Sequence, residues 1–319
     1  MDWPARILEH VPSDSGLGPA LERLLADQRH RWPALRRGEA ELEQVAARVF
    51  ERDGETVVAQ ANPGRRGSTL ARVDAAAVAE RPCFLCPQHM PAEERGLAFG
   101  ELVLLPNPHP IVRGHLTVPA RPHRPQRLAG RLGAMLALSR ALGPDWVTFY
   151  NGPSCGASAP DHFHLQACPR SAVPLLAAGP VAWPATGIVR QEGFGRRRLL
   201  LAGRDPASMG AIVERAVAAW AAVAAGPAAA EPAFNLLLAP GGAGFFGLLF
   251  PRIRHRPDCF AAVEQQRIAV SPAALEMAGL LVVAEPAHLE RLDAERIAGI
   301  YRQVGSDGER WAALGEALA

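Results

Sequence analysis

Residues 160–169 read PDHFHLQACP, with His162, His164 and Gln166 at every second position. Side chains alternate across a strand, so this spacing predicts His162, His164 and Gln166 on one face and Phe163, Leu165 and Ala167 on the other, toward a core. Neutral imidazole is a good nucleophile toward phosphorus and a good leaving group from it. A covalent phosphoramidate would divide one transfer into two easier displacements. Such a histidine needs its second ring nitrogen held, usually by donating to a carbonyl, so that the attacking nitrogen keeps its lone pair. Charge grows on the non-bridging phosphoryl oxygens, where donors must already be waiting. Gln166 offers an amide N–H, and the preceding loop, NGPSCGASAP (151–160), offers backbone N–H groups and the Ser158 hydroxyl. A glutamine cannot give up a proton, which favours transfer between phosphate-type groups over hydrolysis that demands a general acid.

Other stretches carry residue types of interest. RPCFLCPQH (81–89) holds Cys83 and Cys86 as a CxxC. A tetrahedral zinc site needs four thiolate or imidazole ligands, and this pair supplies two. QANPGRRGST (60–69) contains Asn62 and Arg65 in a turn whose backbone amides can nest a phosphate, with Arg65 or Arg66 as a clamp. Asn107 and Arg113, in PNPHPIVRGH, border the neighbouring strand, whereas His109 and His115 read as structural. His255 and its flanking arginines, in RIRHR, face either a phosphate or solvent.

These groups need elements to position them. Leu21, Leu24 and Leu25 recur at helical spacing, as do Leu42, Val45, Ala46 and Val49, which gives an N-terminal helical segment over residues 1–55. TVVAQ (56–60), GELVLLP (100–106), GHLTVP (114–119), WVTFY (146–150) and HFHLQAC (162–168) read as strands, and PQRLAGRLGAMLALSRALG (125–143) as a helix between them. RRRLLLAG (196–203), AFNLLLAP (233–240) and GFFGLLFPR (244–252) are further strands, with a strong helix over 207–225. IAVSPAALEMAGLLVVAEPAHLERL (268–292) mixes a helix with a buried strand, and the chain ends in helix.

The two sets look alike. FYNGPSCGASAPDHFHLQACPR and AFNLLLAPGGAGFFGLLFPR both run from an aromatic-Asn pair to Pro-Arg. Sliding Pro169-Arg170 onto Pro251-Arg252 puts Gly244 under His162, Phe246 under His164 and Leu248 under Gln166. This predicts an α+β fold of two related halves, 56–190 and 191–319, with antiparallel sheets flanked by helices and only the first half catalytic.

Composition narrows the classes. All 34 cationic residues are arginine, and the net charge is only +2, with no basic block interleaved with aromatics to suggest a nucleic-acid groove. No uncharged apolar run reaches the roughly eighteen residues needed to cross a membrane, and the N-terminus lacks a signal-peptide pattern, so a cytoplasmic protein is expected. Five cysteines, an odd number in a long chain, argue against a disulfide framework.

The stretch YNGPSCGASAPDHFHLQA resembles the active-site segment of the histidine-triad superfamily, in the HxHxQ branch of galactose-1-phosphate uridylyltransferases and diadenosine-tetraphosphate phosphorylases. LVLLPNPHPIVRGHLTVPARPHRP, FNLLLAP, LLFPRIRH and IAVSPAALEMAGLLVV extend the resemblance over residues 56–290. It implies a ping-pong transfer of a nucleoside monophosphate, from a nucleotide-sugar or dinucleoside polyphosphate, to phosphate or a sugar phosphate. It casts His164 as nucleophile, Gln166 as the donor to the transferred group, His162 as its support, and Asn151, Gly156 and Ser158 as residues near the phosphates. It also implies a structural zinc on Cys83, Cys86, His123 and His162, with His89 or Asp161 as substitutes, and a homodimer as one assembly. The C-terminal likeness tilts the reading toward phosphorolysis. Exchange between sugar phosphates and a nucleotide-binding regulator without turnover are the alternatives. Asp161 stands where that branch more often has proline, which puts the geometry of the loop before it in question.

Overall fold

A computed structural model describes residues 2–177, 183–224, 230–242 and 244–319. Its strands are β1 (Ile7–Val11), β2 (Ala46–Arg52), β3 (Glu55–Ala61), β4 (Gly96–Phe99), β5 (Leu102–Pro106), β6 (Leu116–Pro119), β7 (Trp146–Asn151), β8 (His164–Pro169), β9 (Gly187–Gly193), β10 (Arg196–Gly203), β11 (Phe234–Gly241), β12 (Gly244–Pro251) and β13 (Leu280–Val283). Ten of them form one sheet in the order β1-β4-β5-β6-β8-β7-β11-β12-β10-β9, and β13-β3-β2 form a second. The large sheet is antiparallel apart from the β1–β4 pair. The fold is therefore α+β, with large sheets flanked by helices.

Alternation along each strand sorts the core into two layers. Phe163, Leu165 and Ala167 pack with Leu236, Leu238 and Leu249 against helices Gly18–Arg31, Leu132–Leu142, Pro206–Val223 and Gly308–Leu318. Phe149, Cys168, Leu248 and Phe250 face the other way, against Val57, Ala59, Leu281 and Val283 of the small sheet and Ile297, Ile300 and Tyr301 of helix Ala294–Val304. Each buried Leu, Ile, Val or Phe among them contributes about 1.5–3 kcal/mol from the removal of apolar surface from water. His164 and Gln166 share the face of Cys168, so the polar pair is on the side of the large sheet that the small sheet covers.

The strand order outward from the centre is β7, β8, β6, β5 on one side and β11, β12, β10, β9 on the other. β7 and β11 pair antiparallel at the centre, with Asn151 opposite Asn235. The register differs from the sequence alignment. Trp146 stands opposite Pro169 and Phe234 opposite Pro251, so hairpin pairing equates Phe234 with Trp146 rather than with Tyr150. The cause is the connection: residues 152–163 separate β7 from β8, whereas β11 turns directly into β12 with Gly241 opposite Gly244.

The N-terminal 55 residues are not a helical segment. Helices Gly18–Arg31 and Pro33–Glu43 are there, but β1 joins the large sheet and Ala46–Arg52 is a strand. Val49 fits a helical period in sequence, yet it sits on an edge strand and is 64% exposed. Asp53 and Gly54 both adopt positive φ, the geometry of a two-residue hairpin turn between β2 and β3. The helix expected over 125–143 begins only at Leu132, which frees Gln126 for another use. β4 and β9 are strands not anticipated from the pattern. No helix among the described residues is long and apolar enough to cross a membrane.

Candidate active site

β8 is paired on both sides, Thr117–Gln166–Phe149 forming one row across β6, β8 and β7. This row floors a cavity of about 740 Å³, which His164, Asn151, Gly156 and Ser158 also line. β7 and β8 diverge at the Asn151 and His164 end, and Gln126 bridges the gap. Its Nε2 donates to the carbonyls of Asn151 (2.9 Å) and His164 (3.0 Å), and its Oε1 accepts the His164 N–H (2.8 Å). Gln126 is buried, and no sequence signal singled it out.

The orientation of each polar group is fixed by partners that can play only one role. His164 Nδ1 lies 2.9 Å from the carbonyl of His162, which can only accept, so Nδ1 carries the proton and Nε2 keeps its lone pair. Burial lowers the His164 pKa to about 4, against a partial rise from the His162 carbonyl, so the ring is neutral near pH 7. The Ile111 N–H donates to His115 Nδ1 (3.3 Å), which makes His115 Nε2 the protonated nitrogen. That nitrogen lies 2.9 Å from Gln166 Oε1. The Gln166 carbonyl is thereby occupied, and its NH2 remains for a ligand. Burial also holds His115 neutral, with a pKa near 3. Asn151 Oδ1 accepts the Ala274 N–H (2.8 Å), so its NH2 is likewise the free end.

Gly156 has φ 111°, and a Cβ there would come within 2.5 Å of the Ala273 Cβ. Glycine is required both for the backbone angle and for the approach of the loop to the 273–276 segment. Ser158 lines the cavity, and its carbonyl accepts from Arg81, which also pairs with Asp161 at 3.1 Å. Arg65 lines the cavity, with one nitrogen 2.9 Å from the His109 carbonyl. Arg256 also lines the cavity, held by the carbonyls of Thr69 (2.9 Å) and Ala71 (2.8 Å), and His255 Nε2 lies 3.1 Å from Ser271 Oγ. Glu94 also lines the cavity. It is buried, its carboxyl accepts no hydrogen bond among the described residues, and desolvation raises its pKa to about 8.

Two anticipated contacts are placed elsewhere. Asn62 is buried and donates to the Pro110 carbonyl (3.0 Å), away from the cavity lining. Arg113 is exposed and pairs with Glu43. Asn107 reaches the cavity, where its Nδ2 donates to Thr117 Oγ1 (3.1 Å) and its Oδ1 accepts the His109 N–H (2.9 Å). His162 does not share the face of His164: β8 begins at His164, and the His162 ring turns the other way, toward the cysteines. Its contribution to the cavity is the carbonyl that holds His164 Nδ1.

Residues 24–169 match the family model described as Domain of unknown function (DUF4922). No curated protein sequence matches the chain. Among solved structures, yeast Ap4A phosphorylase Apa2 in complex with Ap4A superimposes with a TM-score of 0.56 at 15% identity, over 92% of this chain and 98% of that one. The same enzyme in complex with AMP gives 0.55 at 14% identity, over 92% and 97%. The chain shares the Apa2 fold. At these identities the likeness is one of architecture.

Cys83, Cys86, His123 and His162 bring one ligand atom each to within 4.8 Å of one another. Cys83 Sγ lies 3.3 Å from His162 Nδ1, and Cys86 Sγ 3.2 Å from His123 Nδ1. His162 Nε2 lies 2.7 Å from the Ala120 carbonyl and so carries the proton, leaving Nδ1 as a lone-pair donor aimed at the thiols. Two sulfurs and two imidazole nitrogens in this arrangement fit a tetrahedral metal ion. His89 lies outside the group, bonded to the Cys83 carbonyl. Asp161 Oδ2 stands 3.9 Å from His123 Nε2, behind the ligand rather than among the four.

Proposed function

We propose that the chain is a nucleotidyltransferase of the histidine-triad superfamily, related to the dinucleoside-polyphosphate phosphorylases. One observation carries this reading: His164 Nε2 is an unprotonated imidazole nitrogen at a cavity whose facing amides, Gln166 and Asn151, present only donors. In the first displacement Nε2 attacks the α-phosphorus of a dinucleoside polyphosphate or nucleotide-sugar. The P–N bond forms, the P–O bond to the leaving phosphate breaks, and the electron pair leaves with that phosphate. In the second, an oxygen of inorganic phosphate attacks the same phosphorus and the P–N bond breaks, restoring the imidazole. Gln166 and Asn151 N–H groups hold the non-bridging oxygens, and Arg65 and Arg256 offset the charge of the chain being exchanged. A phosphate leaving group needs no proton at neutral pH, which suits a site whose nearest donors are amides.

The Cys83, Cys86, His123 and His162 set would hold a structural zinc. Such an ion supplies a cross-link between the CxxC loop and the start of β8, which fixes the His162 carbonyl beneath His164. The matching strand order on the two sides of the centre supports two related halves, the second without a catalytic row.

Turnover of diadenosine tetraphosphate, UDP-glucose and GDP-mannose with inorganic phosphate or hexose 1-phosphate tests this reading. Phosphate-dependent release of a nucleoside diphosphate, lost in His164→Asn, is the expected result. Consumption of hexose 1-phosphate without phosphate dependence favours sugar-phosphate exchange. Undiminished turnover in His164→Asn contradicts the assignment.

A further inference from the structure

The far side of the sheet has no histidine in β12, yet it keeps two buried polar residues that reach back across the centre. Arg252 follows β12 and is 1% exposed; Asn235 lies in β11 and is fully buried. The Arg252 guanidinium, which can only donate, is bonded to Asn235 Oδ1. It also donates to the carbonyls of Val304 (3.0 Å), Pro272 (2.8 Å), Arg254 (3.2 Å) and His255 (3.3 Å). Asn235 is thereby forced to present Nδ2 in the other direction. Nδ2 donates to the Cys155 carbonyl (2.8 Å), which can only accept, and to Asn151 Oδ1 (2.9 Å). Asn151 Oδ1 receives the Ala274 N–H as well, so it holds two donors. The Asn151 NH2 has no protein acceptor among the described residues, and the residue lines the cavity.

From this we infer that Arg252 and Asn235 are positioning residues, which lock the Asn151 amide with its donors toward the transferred phosphoryl group. The inference rests on the nucleotidyl-transfer reading. The chain of one-way donors leaves no alternative assignment of either amide. The same guanidinium anchors the carbonyls of residues 254, 255 and 272, so it also holds the wall that carries His255, Arg256 and Ala273. Coupling is therefore expected to run from the far side of the sheet into the site through fixed dipoles, with no contact between that side and the reacting atoms.

Asn235→Asp tests it. The substitution is isosteric and pairs well with Arg252, but it replaces a donor to Asn151 and Cys155 with an acceptor. Single-turnover nucleotidylation of the protein by diadenosine tetraphosphate is expected to slow about 100-fold, the scale of one lost donor to a developing oxyanion, with substrate affinity nearly unchanged. Asn151→Ala should slow it to a similar degree, and the double variant should add little, because both remove the same interaction. A merely structural role would instead give additive losses.

A second arm does not depend on the folding of Asn235→Asp. Asn151→Asp should react more slowly than Asn151→Ala, because it turns an acceptor toward the phosphoryl oxygens. Near-wild-type rates in folded Asn235→Asp, or Asn151→Asp at least as fast as Asn151→Ala, overturn the inference. If His164→Asn still abolishes labelling in either case, the nucleotidyl-transfer reading survives and only the positioning role falls.

Discussion

β7–β8 and β11–β12 occupy matching places on either side of the sheet centre and do different work. On one side the strands part, residues 152–163 fill the gap, and His164 and Gln166 face a cavity. On the other the hairpin closes at Gly241 and Gly244, and Leu248 and Phe250 face the same layer as buried hydrocarbon. A polar row alone does not make a site. It needs a connection long enough to hold strand ends apart, a bridge such as Gln126 to satisfy the backbone they expose, and partners that orient each amide. The far side lacks those features but supplies orientation to the near one.

Exchanging residues between the sides should be asymmetric. Gln166→Leu removes a donor from the cavity and is expected to slow nucleotidyl transfer by roughly 10²–10³-fold while leaving the fold intact. Leu248→Gln on the far side should give no labelling at that side and cost about 3 kcal/mol, because its amide meets only apolar neighbours. Chemical denaturation and single-turnover assays on the two variants measure both effects. A stable Leu248→Gln would mean that the far side retains polar room and that the contrast is drawn too sharply.

Loss of the cysteine pair should affect the near side most. Cys83→Ser/Cys86→Ser is expected to abolish metal binding and to lower stability by about 3 kcal/mol, the scale for a ligand present at a hundredfold its Kd. Elemental analysis and thermal unfolding check this. Wild-type protein without stoichiometric metal would leave the cluster as a thiol–imidazole contact only.

A smaller effect concerns pH. Glu94 is protonated in the fold over a range where the unfolded chain has lost that proton, since burial raises its pKa to about 8. The native state then binds more protons, so stability falls as pH rises from the ordinary carboxylate range through 8 and levels off above it. Glu94→Gln should flatten that slope. An unchanged slope would place the titration elsewhere.

The sequence made the geometry of the candidate site legible where residue type and period agree. The alternation in 162–168 gave the strand, His164 and Gln166, and the CxxC gave half of the Cys-His cluster. Reading failed where one period was imposed on another structure. Val49 fits a helical repeat but lies on an edge strand with little buried alternation to reveal it. The side chains that orient the site, Gln126, His115, Asn235 and Arg252, act across 17 to 84 residues of chain, through bonds such as Gln126–His164, Asn235–Asn151 and Arg252–Asn235. No local pattern encodes such pairings. The alternation puts His162 on the face of His164, but the strand starts two residues later and frees the His162 ring to turn toward the cysteines.

The most direct test of the central claim is the site of covalent labelling. The protein would be mixed with diadenosine tetraphosphate in the absence of phosphate, quenched under alkaline conditions and mapped by tandem mass spectrometry. The account predicts a nucleoside monophosphate on the imidazole of His164, discharged on addition of inorganic phosphate. Turnover with no adduct on that residue, or an adduct on another side chain, would contradict it.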